Sequence, residues 1–297
     1  MKCDLCPRKC LVDRKKGEKG ICGQTENLKV ARAALHFWEE PCISGDAGSG
    51  AVFFSGCPLH CVFCQNENIA NGTVGKEISL ERLVDIFLEL QEKRANNINL
   101  VTPGHFVPQI VKALDQARKE GLTLPVVYNT SSYETVDTIK MLEGYVDIYL
   151  SDFKYMSPVL SKKYSHAPDY AEVAKAAIAE MVRQTGKAVF VNGEEDNLIL
   201  SGTIVRHLTL PGCMADSMQI LKYLHDTYGD MIYISIMNQF TPLSNLEKYP
   251  ELNRRITDEE YETLVDYAIE IGIENGFIQE GNTAEESFIP AFDCEGV

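Results

Sequence analysis

Short apolar runs alternate along most of the chain with segments in which apolar residues recur at helical spacing. This alternation is typical of βα units and predicts a parallel sheet. A further segment, 187–202, is predicted to form a hairpin before the fifth strand, with Asn192-Gly193 as its turn. The predicted strands of the main sheet are residues 51–55, 97–101, 124–128, 146–151, 203–209 and 231–237.

Helix-starting residues fall between these strands. Ser79 is placed to cap one predicted helix and Pro108 to open another. Thr257 and Glu260 have the spacing of a capping box at the start of a third helix. The inward-facing positions predicted for these helices are Leu83, Phe87 and Leu90; Ile110, Val111 and Leu114; and Tyr261, Leu264, Val265 and Ala268.

Six βα units with right-handed crossovers predict an α/β fold, an incomplete (β/α)6 TIM-like barrel or an open doubly wound sheet. We expect three regions. Residues 1–45 form a small cysteine-rich metal or cluster module, residues 46–240 the core, and residues 241–297 an acidic helix and tail that pack on the barrel. Both architectures place their chemistry at the carboxyl ends of the strands.

Composition narrows the classes of function. The net charge is −15, and residues 247–297 carry fourteen acidic residues against three basic ones. We interpret this region as a solvated surface, with a docking site for a basic partner as the alternative. An acidic chain is a poor partner for nucleic acid. No run reaches the roughly 18 apolar residues of a membrane span, and no signal region is evident, so we expect a cytosolic protein.

Ten cysteines in a reducing compartment favour metal ligation over disulfides. Cys57, Cys61 and Cys64 follow directly after the first predicted strand. Three thiolates hold three corners of a four-iron cluster and leave one iron free, whereas structural metal sites usually close with four protein ligands. The spacing therefore predicts a reactive cluster. The alternative is a zinc site completed by Cys42 or His60.

A second cysteine group lies at the N-terminus. Its spacing suits four thiolates around a zinc ion or a second cluster, and the two interpretations are equally open. Cys42 is considered as an extra ligand. His36 is interpreted as a core or hydrogen-bonded histidine, with metal ligation as the alternative, and Cys213 and Cys294 are interpreted as ordinary thiols. The N-terminal metal-ligating residues predicted are Cys3, Cys6, Cys10 and Cys22.

Polar residues also follow the later strands. Arg206 lies within the fifth strand, where a buried guanidinium needs a carboxylate from a ligand or from an internal glutamate. Together these groups suit a zwitterionic amino acid joined to a nucleoside. The residues at the ends of the second, third and fourth strands are Thr102, Pro103 and Gly104; Asn129; and Asp152 and Lys154.

The three-cysteine motif in this strand context resembles the radical S-adenosylmethionine superfamily. Phe63 and Gln65-Asn66 are similar to its glycyl-radical-activating branch. The stretch from Leu35-His-Phe-Trp-Glu-Glu-Pro-Cys-Ile43 to Asn66 resembles iron–sulfur proteins that are similar to pyruvate formate-lyase activating enzyme. The resemblance covers about residues 1–240.

The resemblance implies an incomplete six-stranded barrel and a [4Fe-4S] cluster whose open iron binds S-adenosylmethionine. Reduction by a donor such as flavodoxin or ferredoxin would yield methionine and a 5′-deoxyadenosyl radical, which takes hydrogen from a substrate. By position, Thr102 to Gly104 would meet the methionine amine, and Arg206 the carboxylate. Other cofactor-binding residues implied are Phe63, Asn66, Asn129, Asp152 and Lys154.

The chain also departs from that family. Thr-Pro-Gly-His replaces the usual two glycines and an acid after the second strand, and the extra cysteines precede the cluster motif. These departures speak against a glycyl-radical protein as substrate. A small molecule would instead need a closed mouth, with Phe288, Pro290 and Phe292 as an apolar lid. A non-catalytic iron–sulfur carrier or sensor and a zinc-stabilised binding module are the rival classes.

Overall fold

The computed structural model describes residues 2–193, 197–242, 246–279 and 290–297. Its strands are β1 Leu28–His36, β2 Ser49–Phe54, β3 Lys76–Ile78, β4 Ile98–Val101, β5 Val126–Thr130, β6 Ile148–Asp152, β7 Val189–Phe190, β8 Ile199–Leu208, β9 Tyr233–Met237 and β10 Gly276–Ile278. Its α-helices are α1 Pro41–Ser44, α2 Glu67–Ala70, α3 Leu80–Glu92, α4 Val107–Lys119, α5 Val136–Lys140, α6 Pro158–Ser165, α7 Tyr170–Thr185, α8 Met214–Tyr228 and α9 Asp258–Glu270.

One curved layer of parallel strands organises the molecule. In the described part of the chain, the strand order is β10-β9-β8-β6-β5-β4-β2-β1-β3, with β7 paired to β8. Along this order, every neighbouring pair of strands from β10 to β2 is parallel. In contrast, β1 is antiparallel to β2 and β3. The terminal strands β3 and β10 do not pair, so the sheet is not closed, and the predicted α/β fold with an incomplete TIM-like barrel is confirmed.

All the predicted parallel strands occur, but β1, β3 and β10 were not predicted. Strand β1 lies inside the segment assigned to the cysteine-rich module, so the sheet begins before residue 46. The predicted hairpin is present because β7 pairs with the start of β8. Its connection is longer than a two-residue turn. Asn192 and Gly193 have the positive φ values expected of an Asn-Gly pair, 57° and 73°, and residues 194–196 lie outside the described part.

The predicted helix starts are confirmed, two of them by capping hydrogen bonds. The Ser79 hydroxyl accepts from the amide of Arg82, and Pro108 lies in the first turn of α4. Thr257 and Glu260 form a complete capping box at the start of α9. The inward residues Leu83, Phe87 and Leu90 are buried, as amphipathic spacing requires. No described helix combines the length and the apolar character that a membrane crossing requires.

The last described residues pack along β1. The amide of Cys294 donates to the carbonyl of Ala31 at 3.0 Å, and the amide of Ala33 donates to Glu295. Arg32 forms ion pairs with Asp293 and Glu295. The last described residues therefore lie against the edge of the sheet formed by β1.

Candidate active site

The three cysteines lie on the loop that follows β2. Gly56 begins this loop with a φ of +96°, a left-handed conformation that favours glycine. The amide of Cys64 donates to the carbonyl of Cys61 at 3.0 Å, which folds the second half of the loop into a turn. Cys57, Cys61 and Cys64 are each partly exposed and line one cavity. The structure thus brings all three predicted ligands to one place.

The core side of this loop is anchored by aromatic packing. Phe63 is buried and meets Tyr155 and Phe240 edge-on, with ring centroids 6.5 and 6.0 Å away. The hydroxyl of Ser165 donates to Cys61 Sγ at 3.0 Å and also contacts the Tyr155 hydroxyl at 2.8 Å. Phe63 therefore fixes the loop in addition to lining the cavity.

The alternative zinc ligands for this motif have other partners. His60 Nε2 lies 2.7 Å from the carbonyl oxygen of Ile21, and Cys42 is buried in an apolar cluster with Ile43 and Ile148. Among the described residues, no three His, Cys, Asp or Glu side chains are close enough together to hold a single metal ion. A four-iron cluster does not require its thiolates to meet at a single metal ion, because each thiolate binds a different iron.

A cavity of about 620 Å³ extends from the cysteines into the barrel. Gly104, a predicted cofactor-binding residue, is not among the residues that line it. A Cβ at Gly104 would lie 2.4 Å from the Oε1 atom of Glu134, so this glycine allows a buried carboxylate to approach the backbone. The predicted site residues that line the cavity are Cys57, Cys61, Phe63, Cys64, Asn66, Thr102, Asn129, Asp152, Lys154 and Arg206.

Arg206 is the centre of a polar network on the cavity wall. Its Nε donates to Asp152 Oδ1 at 2.9 Å, its Nη1 to Glu39 Oε2 at 2.9 Å, and its Nη2 to Asn129 Oδ1 at 2.7 Å. The side chain is only 13% exposed. Each nitrogen already has a protein partner, so the internal glutamate pair, one of the two sequence alternatives, is present.

Asp152 lies between two cations. Lys154 Nζ donates to Asp152 Oδ2 at 2.7 Å, while Arg206 holds the other oxygen. Burial alone would raise the pKa of Asp152, but Lys154 and Arg206 lower it below its ordinary value. The carboxylate therefore stays charged, and Lys154 keeps further N–H groups for a ligand.

Two glutamates in the cavity were not predicted. Glu39 Oε1 accepts hydrogen bonds from Asn99 and Asn129, each at 3.1 Å. Glu40 lines the cavity beside Ser235, and its buried Oε2 atom lacks a partner in the structure. Burial raises the pKa of Glu40 in spite of the nearby Arg206. The run Trp-Glu-Glu-Pro after an apolar strand was the available signal for this pair.

The donor set fits an iron–sulfur cluster with a polar ligand beside it. Burial and the neighbouring Cys61 raise the pKa of Cys57 to about 11 and that of Cys64 to about 12. Bound iron reverses this preference, because a coordinating thiol is deprotonated outright. Three thiols facing a cavity that also presents Lys154 and the Glu40 carboxyl suit a cluster with one iron left to an amino acid ligand.

Comparison with protein families agrees with this geometry. The family model for the Radical SAM superfamily matches residues 51–199, half of the chain. The protein therefore belongs to the radical S-adenosylmethionine superfamily, which implies an iron–sulfur enzyme with radical chemistry. The match begins at β2 and includes the cysteine loop and the strands that carry Asn129 and Asp152. The resemblance inferred from the sequence is confirmed for the superfamily, and no comparison bears on the glycyl-radical-activating branch.

Individual proteins that are similar to this chain have low sequence identity to it. The uncharacterized protein MJ0674 of Methanocaldococcus jannaschii is 28% identical over 275 residues, which covers 90% of this chain and 74% of the relative. Streptococcus suis SuiB bound to S-adenosylmethionine shares the fold at a TM-score of 0.51 and 13% identity, over 75% of this chain and 48% of SuiB. Methylornithine synthase (PylB) gives 0.52 and 13%, over 75% of this chain and 60% of that enzyme. The chain thus spans about half the length of SuiB.

Proposed function

We propose that this protein reductively cleaves S-adenosylmethionine and abstracts hydrogen from a small-molecule substrate. Cys57, Cys61 and Cys64 would hold the [4Fe-4S] cluster as its catalytic ligands. The observation that carries the proposal is that these thiols share one cavity with the buried ion network around Arg206. When bound, the cluster and its cofactor supply methionine and a 5′-deoxyadenosyl radical.

The residues on the wall would orient the cofactor. Lys154 has N–H groups beyond its bond to Asp152 and is placed to bind a carboxylate. Asp152 would accept from an amine or from ribose hydroxyls, with Thr102, Asn66 and Phe63 completing the surroundings. Because Arg206 is occupied by protein partners, we assign it a positioning role toward Asp152 and Asn129 rather than a cofactor contact.

The described C-terminal residues favour a small substrate over a protein glycine. Pro290 lines the cavity, and Phe292 packs edge-on against Phe53, a lining residue, at 5.5 Å. Strand β10 and Gln279 also line it. Phe288, the third member of the predicted lid, lies outside the described residues. The alternative of activating a glycyl-radical protein, as in the pyruvate formate-lyase activating branch, would need a mouth open to a folded partner.

We place the enzyme in the cytosol, where flavodoxin or ferredoxin could supply electrons. All ten cysteines are unpaired thiols in the structure, as a reducing compartment requires. Given the acidic charge, we expect no nucleic-acid partner. SuiB has been solved with its precursor peptide SuiA, so a peptide remains the competing class of substrate to test.

The deciding experiment is anaerobic. Protein reconstituted with iron and sulfide should release 5′-deoxyadenosine when dithionite and S-adenosylmethionine are added, and Cys61→Ser should release none. Cys213→Ser is the matched control, since Cys213 does not line the cavity. Full iron content without product would defeat the enzyme proposal and favour a carrier or sensor, which predicts reversible redox behaviour with no cofactor consumed. One zinc and no iron per chain would favour the binding module.

Substrate class is tested with the same assay. Product release should rise when the small-molecule fraction of a cell extract is added, and the protein fraction should leave it unchanged. A rise with the protein fraction alone, together with a glycyl-radical signal in that fraction, would reverse the assignment.

A further inference from the structure

The four N-terminal cysteines belong to one compact loop structure. The amide of Cys3 donates to the carbonyl of Val12, and the amide of Leu11 donates back to Cys3, both at 2.9 Å. The amide of Lys9 donates to the carbonyl of Cys6 at 3.0 Å and closes a turn between them. These bonds bring together segments that carry three of the four thiols.

The fourth thiol is brought in by a glycine turn. The amide of Gly23 donates to the carbonyl of Gly20 at 3.0 Å. A Cβ at Gly20 would lie 3.3 Å from Cys10 Sγ and 3.7 Å from Cys22 Sγ, so both sulfurs approach this residue. The amide of Ile21 donates to Cys10 Sγ at 3.2 Å. Backbone N–H groups aimed at sulfur tune the potential of iron–sulfur clusters.

This module is docked directly on the loop of Cys57. The guanidinium of Arg8 donates to the carbonyl of Pro58 at 2.9 Å and to the carbonyls of Ser165 and His166. A Cβ at Gly56 would lie 2.5 Å from the carbonyl oxygen of Cys22. The backbone of one cysteine group therefore contacts the glycine that begins the other group's loop.

We propose that Cys3, Cys6, Cys10 and Cys22 bind a second iron–sulfur cluster that passes electrons to the cluster at Cys57, Cys61 and Cys64. A zinc ion would need at least three ligands gathered at one point, and no such group occurs among the described residues. Four thiolates leave no iron open to a substrate, and such a closed cluster is suited to electron exchange. Because the N-terminal module contacts the loop of Cys57, the cluster proposed at Cys57, Cys61 and Cys64 is the nearby electron acceptor.

The redox step is balanced without further chemistry. One electron enters the N-terminal cluster from a low-potential protein donor, such as a flavodoxin or ferredoxin, and one electron leaves it for the second site. No bond forms or breaks at the four thiolates. This role rests on the proposed function, whereas the existence of the site does not.

Two variants separate these claims. The triple variant Cys57→Ser, Cys61→Ser and Cys64→Ser should retain about four iron and four sulfide per chain, against about eight of each in the wild-type protein. Its electron paramagnetic resonance signal should not change when S-adenosylmethionine is added. Zinc in the triple variant, or loss of all its iron, would overturn the second cluster. A wild-type protein that failed to cleave the cofactor would leave this result intact.

The relay is tested with the complementary variant, Cys3→Ser, Cys6→Ser, Cys10→Ser and Cys22→Ser, after it has been shown to retain about four iron. Single-turnover release of 5′-deoxyadenosine with reduced flavodoxin as donor should slow at least tenfold relative to Cys213→Ser. An unchanged rate would refute electron transfer through the N-terminal cluster. If this variant fails to fold, Arg8→Ala tests the same docking, with a slower rate at unchanged iron content expected and an unchanged rate contradicting the relay.

Discussion

Removing the guanidinium at position 206 should strongly destabilise the folded protein. Arg206→Met keeps the apolar part of the side chain but leaves Glu39 and Asp152, 8% and 20% exposed, without their main cation. Breaking a buried pair in this way costs about 3–5 kcal/mol, because a charge stays buried without compensation. Lys154 still contacts Asp152, so the unpaired charge should fall mainly on Glu39 and the neighbouring Glu40.

Urea unfolding of the metal-free protein, followed by circular dichroism under reducing conditions, measures this loss. The control is Lys222→Met, because Lys222 pairs with Asp226 at the surface and the two side chains are 60% and 54% exposed. That variant should differ little from the wild-type protein. A loss below about 1 kcal/mol for Arg206→Met would show that the network is solvated, and the assignment of Arg206 as a buried positioning residue would be wrong.

Three further predictions concern individual side chains. Burial raises the pKa of Glu134 from 4.5 to about 7, against hydrogen bonds from Thr130 and Tyr128. The stability this group contributes is therefore full below about pH 4.5 and is lost as the pH rises through about 7, a change of about 3 kcal/mol. Glu134→Gln should remove that loss in urea titrations run at several pH values, and an unchanged pH dependence would contradict it. Gly104→Ala places a methyl group 2.4 Å from the Glu134 carboxylate and should cost about 1–3 kcal/mol by the same unfolding assay, with no loss refuting the close contact. Thr257→Ala breaks the capping box of α9 and should cost about 1 kcal/mol, whereas an unaltered midpoint would argue against a stabilising cap.

The parallel strands could be predicted from the sequence because they are buried on both faces and form continuous apolar runs. Strand β1 was missed because its apolar residues are interrupted by Lys29 and Arg32, and it lies close to the cysteine-rich segment. Strands β3 and β10 have three residues each, too few to show a period. Their pairing depends on tertiary contacts that local pattern does not encode.

The site residues that directly follow the carboxyl ends of parallel strands could be predicted from the sequence. Asn129, Asp152 and Lys154 were found in this way, and all line the cavity. Glu39 was missed for a geometric reason. Because β1 runs antiparallel to β2, its last residue, His36, pairs with Ser49 at the start of β2. The glutamates that follow therefore enter the barrel from the opposite end of the parallel strands, where no strand-end rule points to them.

The role of Arg206 shows a second limit of sequence reasoning. A buried arginine requires a carboxylate, but its sequence position cannot say whether a ligand or the protein provides it. The protein provides two carboxylates: Asp152, which pairs directly with Arg206 in the register of β6 and β8, and Glu39, which is distant in sequence. Only the folded chain brings these two acids to one guanidinium.

The proposed function requires that S-adenosylmethionine binds iron at the three-cysteine site, and this binding can be measured directly. Electron–nuclear double resonance should be recorded on the reduced protein with cofactor labelled at its amino nitrogen and carboxyl oxygen. The variant lacking the four N-terminal cysteines removes the second signal. Hyperfine coupling from both labels is expected, and Cys61→Ser should abolish it. A cluster signal that shows no coupling to either label and does not change when the cofactor is added would contradict the proposed function.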